Sequence, residues 1–87
     1  MKILVLGAGC ERCDNLYKNT VEALDRVENV ARDTYVEKVT NPEVFYRYKV
    51  AITPALVVND EVISVGKVLS ADQIEKELRK HVFGESP

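Results

Sequence analysis

The sequence predicts a single α/β domain in which a mixed four-stranded sheet is flanked by helices, in the order β-α-β-α-β-β-α. Three observations predict it. An apolar run at 3–6 gives way, after Gly7 and Gly9, to apolar residues at helical spacing. A second apolar run at 52–58 is followed across Asn59-Asp60-Glu61 by Val62-Ile63-Ser64-Val65, which reads as a hairpin. A capped helix start at Ser70 then closes the chain.

Each element has its own warrant. Ile3-Leu4-Val5-Leu6 is apolar at every position, as a strand covered on both faces must be. Over 11–28, Cys13, Tyr17, Thr20, Leu24 and Val27 fall at steps of four and three, which makes one inward stripe of a helix. Residues 31–39 carry Thr34, Tyr35, Val36 and Val39, side chains that suit a pleated strand. Asn41 can cap a helix and Pro42 fits its first position, where the missing N–H costs nothing. That short helix presents Val44, Phe45 and Tyr48 and fades near Lys49, with Tyr46 partly exposed. Pro54 is tolerable only near the start of the strand that follows. In the last helix Ser70 and Gln73 form a capping box, Leu69 and Ile74 a hydrophobic staple, and Ile74, Leu78 and Val82 the buried stripe. His81 lies near its end, where positive charge complements the dipole. The domain spans 1–83, and 84–87 form a short tail.

Composition narrows the function. The chain has 87 residues, 46% hydrophobic and 30% charged, with 12 basic and 14 acidic side chains and a net charge of −2. These values suit an ordinary globular domain with a modest core. The charges are interspersed, so the basic stripe that a nucleic-acid backbone requires is missing. The opening apolar run stops at Gly7, short of the roughly 7–15 residues of a secretory signal, and no run approaches a membrane span of about 20. A cytoplasmic protein, with neither membrane nor nucleic acid as partner, is expected. The third glycine of a dinucleotide-binding fingerprint is replaced by Arg12, and the chain is too short for that domain.

Chemistry is concentrated in Gly9-Cys10-Glu11-Arg12-Cys13, between the first strand and the first helix. Two residues between the cysteines, across a first helical turn, bring both sulfurs to one side. Cys10 at the helix start meets unpaired N–H groups and the positive end of the macrodipole, which favour a thiolate. Cys13, one turn further in, lies on the buried stripe and stays a thiol. Cys10 is therefore the expected nucleophile and Cys13 the resolving thiol. Arg12 supports the thiolate and Glu11 opposes it, so no extreme pKa is expected. Gly7 and Gly9 leave room for a partner backbone beside the nucleophile.

These residues resemble the active site of thioredoxins and glutaredoxins. Tyr48-Lys49-Val50-Ala51-Ile52-Thr53-Pro54 is similar to the thioredoxin segment that ends in a cis-proline facing the two cysteines, and Val65-Gly66 and Leu69-Ser70 are similar to the glycine and last-helix start of that family. The chain most resembles the very small, glutaredoxin-sized thioredoxins of prokaryotes. The resemblance implies a thioredoxin-like fold and a protein disulfide oxidoreductase active in electron transport and cell redox homeostasis. It implies a monomer with no cofactor or metal beyond the redox-active Cys10–Cys13 disulfide. Its partners would be protein disulfides and an upstream dithiol reductase. It also implies that Thr53–Pro54 is cis, that the Thr53 backbone pairs with the incoming substrate strand, and that Pro54, Gly9 and Gly66 help to form the substrate surface. Gly9 stands where thioredoxins usually carry Trp, Glu11-Arg12 stand in place of Gly-Pro, and 3–6 contain no counterpart of the thioredoxin buried acid. Gly66-Lys67-Val68 lacks the Gly-Gly and acidic pair of glutathione binders, which favours protein dithiols over glutathione.

A soft-metal carrier for Cu(I) is the alternative, because small metallochaperones also place Cys-x-x-Cys after a first strand. Their order is β-α-β-β-α-β, and they usually carry Met where this chain has Ala8. Inert buried cysteines are the remaining reading. A structural zinc site would need four ligands, and His81 is the sole histidine.

Overall fold

A computed structural model describes residues 1–9, 11–27 and 33–83. Cys10, the helix end expected at 28, the strand start expected at 31–32 and the tail at 84–87 lie outside the described residues. The order is β1 (Lys2–Leu6), α1 (Glu11–Arg26), β2 (Tyr35–Val39), α2 (Pro42–Arg47), β3 (Ala55–Val58), β4 (Glu61–Val65) and α3 (Ala71–Phe83). This is the predicted succession. The sheet runs β2-β1-β3-β4, with β1 and β2 parallel and the other two pairings antiparallel. It is the mixed four-stranded sheet expected from the sequence.

The unbroken apolar run of β1 has a direct cause. Ile3 and Val5 pack with Leu56 and Val58 under Leu16 and Ala23 of α1 and Ile74 and Leu78 of α3. Leu4 and Leu6 face the other way, with Ala55, Val57 and Val50, under Val44, Phe45 and Tyr48. Period-two alternation sends neighbours to opposite faces, and both faces are covered.

The caps form as the sequence predicts. Ser70 N donates to Gln73 Oε1 at 2.9 Å and Gln73 N to Ser70 Oγ at 3.2 Å. Asn41 Oδ1 accepts from Glu43 N at 2.9 Å. Leu69 and Ile74 join the same core cluster, as the staple requires. His81 falls in the last turn of α3.

Two expectations shift. The inner face of α1 holds Cys13, Leu16, Thr20 and Ala23, with Val27 buried just beyond its end, while Tyr17 and Leu24 are only half-buried. A single line of residues understates the stripe because α3 packs beside α1 and draws Leu16 and Ala23 inward. The hairpin turn contains only Asn59 and Asp60, at φ 49° and 67°, and Glu61 already pairs with Val58. Two successive positive φ values belong to the type I′ turn, whose twist matches that of the strands it joins. Val62 and Ile63, neighbours in β4, serve opposite cores as strand alternation requires, and the register shifts between Leu56 and Val57.

Candidate functional site

The site lies where β1 ends and α1 begins. α1 starts at Glu11, the residue after Cys10 in the chain. Glu11 and Arg12 are exposed, whereas Cys13 is buried at 3% exposure in the first turn. The inward position expected of Cys13 is thus the one it occupies.

Gly7 explains how the sulfur is accommodated. A methyl group placed on Gly7 would overlap Cys13 Sγ and lie 4.0 Å from the backbone Cα of Pro54. The space left by the missing side chain is filled by the Cys13 sulfur, with Pro54 close by. Gly9 differs, since a Cβ there would meet nothing within 4 Å among the described residues and its requirement is a φ of 85°. The room at Gly7 is thus taken by Cys13.

The Thr53–Pro54 bond is cis, as the resemblance implied. Pro54 is buried and Thr53 half-buried, and Ile52 before them is 62% exposed. Gly66 N donates to Pro54 O at 2.8 Å, which carries the hairpin ladder one step further and brings Gly66 beside the proline. Gly66 has φ 71°, and a Cβ on it would come within 2.8 Å of Ile52 Cγ2. The structure thus assembles Cys13, Thr53, Pro54 and Gly66 around one end of the sheet.

Arg12 acts in a way its position between the cysteines does not disclose. Its Nη2 donates to Gly66 O at 2.8 Å, tying the first turn of α1 to the loop after β4. Glu11 has no such tie among the described hydrogen bonds.

A second charged group adjoins Cys13. Lys38 Nζ on β2 lies 2.6 Å from Asp14 Oδ1 and 5.0 Å from the Tyr17 ring centroid. The Asp14 hydrogen bond chiefly raises the Lys38 pKa, with smaller contributions from the charges of Asp14, Tyr17 and Cys13. The reverse holds for Asp14, which Lys38 pushes below the usual carboxylate range. Sequence reasoning passed over Lys38, because its place beside Asp14 depends on the parallel register that pairs Val5 with Lys38.

No group of three or more His, Cys, Asp or Glu side chains is placed to hold a metal among the described residues. No described helix is long and apolar enough to cross a membrane.

Comparison with known proteins agrees with this geometry. A family model described as a thioredoxin domain matches residues 1–79. A protein named thioredoxin from Methanocaldococcus jannaschii is 30% identical over 82 residues, covering 94% of this chain and 91% of that one. Another of the same name from Methanothermobacter thermautotrophicus is 33% identical over 76 residues, covering 87% of this chain and 95% of its own length. With a buried Cys13 against Gly7 and the cis Thr53–Pro54 bond, and with a match running from the first strand into the last helix, the chain belongs to the thioredoxin domain family.

Proposed function

We propose that this protein is a thiol–disulfide oxidoreductase that exchanges its Cys10–Cys13 pair with protein disulfides. The observation that carries the reading is the seat of Cys13: its sulfur fills the space at Gly7, with Pro54 at the same point. Family membership supports a general role in thiol–disulfide exchange.

In the reducing direction the Cys10 thiolate attacks one sulfur of a client disulfide. The client S–S bond breaks, a mixed disulfide forms, and the departing client thiolate takes up a proton. Cys13 then gives up its proton and attacks the Cys10 sulfur, releasing the second client thiolate. Two electrons pass to the client and the pair is left oxidised, to be reset by an upstream dithiol reductase. The start of α1 immediately after Cys10 supports the nucleophile's role, because a helix N-terminus favours an adjacent thiolate. Burial supports a protonated Cys13. The half-buried Thr53 precedes Pro54 in the surface we assign to client backbone, along with Gly9 and Gly66. We further place the protein in the cytoplasm, as a monomer that needs no cofactor.

Cys10→Ser should abolish exchange, and Cys13→Ser should trap mixed disulfides that survive non-reducing electrophoresis. Unchanged exchange in both variants would sink the assignment. The copper-carrier alternative gains no support from the element order, since the chain follows β-α-β-α-β-β-α. Titrating the pair against a glutathione redox buffer with a Cu(I) chelator separates the two. A reversible two-electron transition indifferent to the chelator indicates a redox couple.

A further inference from the structure

α2 ends in a turn with an unusual occupant. Val50 N donates to Phe45 O at 2.8 Å and Lys49 N to Tyr46 O at 2.9 Å. These two bonds define a Schellman motif and put Lys49 at the position just past the helix, where glycine is the rule. Lys49 has φ 59°, a conformation that a side chain disfavours. Local stability would select glycine there, so a lysine calls for another reason.

The surroundings supply one. Tyr46, Arg47, Lys49, Val50 and Ala51 line an open groove of about 530 Å³. Tyr46 is 86% exposed and offers an apolar wall. The charged side chains lining the groove, Arg47 and Lys49, are both cationic although the chain is net acidic. Neither has an ion-pair partner among the described residues, as is also true of Arg12, Lys18, Lys67 and Lys76, and these two lie together in one groove. The groove's last lining residue, Ala51, is close in the chain to the candidate site. From Ala51 to Pro54 is three residues, at most about 11 Å of extended chain, and the exposed Ile52 lies between them.

We propose that this groove docks an acidic segment of the partner protein, a pair of carboxylates beside one apolar side chain, a few residues from the disulfide being exchanged. The proposal rests on reading Cys10 and Cys13 as the exchanging pair. Arg47 offers a carboxylate a planar fork and Lys49 a point charge, while the exposed Tyr46 ring receives the apolar side chain. Charge complementarity of this kind selects among partners and speeds their encounter.

The test uses the full chain and fluorescein-labelled peptides in which serine replaces the cysteines, so that binding is read apart from exchange. One peptide carries Asp-Glu-Leu, one Ser-Ser-Leu and one Lys-Lys-Leu. Fluorescence anisotropy at low salt should favour the acidic peptide over the basic one by about tenfold, and the gap should narrow sharply near 0.2 M salt. Arg47→Gln should shrink the preference. Lys49→Gly should shrink it too while raising the urea midpoint, because glycine accepts the positive φ. A merely structural Lys49 would give the second change without the first. Equal binding of all three peptides, or a preference untouched by either substitution, overturns the proposal. Reduction of dipyridyl disulfide by the wild-type dithiol is measured alongside, and failure there refutes the exchange reading while the binding arm still decides the groove.

Discussion

α1 and α3 cover one face of the sheet with helices of 16 and 13 residues, whereas α2 covers the other with 6. The first face holds fully buried side chains from both helices, among them Leu16, Ile74 and Leu78. The second face has none from its helix, because Val44, Phe45 and Tyr48 are only half-buried. Stability is therefore concentrated on one side. The exposed Tyr46, Arg47, Lys49, Ala51 and Ile52 belong to the other, where less packing constrains side-chain choice.

The contrast can be broken most directly by truncating cores. Leu78→Ala should cost about 2–5 kcal/mol in urea unfolding, the usual range for a buried leucine. A value as small as that of Val44→Ala would mean that the two faces contribute alike. Gly7→Ala should come next, with a loss of about 1–3 kcal/mol, since its methyl overlaps the Cys13 sulfur and forces a shift at the junction of the faces. Val44→Ala should cost about 1 kcal/mol, as two half-buried methyl groups are lost.

The smallest effect concerns a polar tie of the thin face. Asp60 accepts from Tyr48 Oη at 2.6 Å and pairs with Lys2 Nζ at 2.8 Å, linking α2, the β3–β4 turn and β1. Its pKa is lowered by the hydrogen bonds from Lys2 and then Tyr48. A depressed folded-state pKa gives stability that is present above the unfolded value, about 3.9, and lost as pH falls through the folded one. Tyr48 is shifted upward, chiefly by Asp60, and Lys2 likewise. Their contributions are present below about 10 and lost as pH rises through the folded values. The stability difference between wild type and Asp60→Asn, followed by urea midpoint, should be widest between these limits and close at both extremes. A pH-independent difference would remove the tie from the account.

Much of the architecture was legible because it is local. The capping box of Ser70 and Gln73, the Asn41 cap and the alternation of β1 each depend on neighbours within a few residues, and each formed as expected. The family resemblance carried the cis Thr53–Pro54 bond, which the chain's own pattern would not have disclosed.

What the sequence determined by itself is the succession of elements, their caps, and the placing of Cys13 on the inner side of a first helical turn. Only the tertiary structure decided that Cys13 fills the space at Gly7, that Arg12 reaches Gly66 across 54 positions, and that Lys38 meets Asp14 across 24. It likewise decided which of two adjoining stripes on α1 is buried, and that two cations beside Tyr46 share one groove. The physical reason is range. Propensity, capping and periodicity act between near neighbours, whereas these contacts exist only once strand order and register bring distant segments to the same end of the sheet.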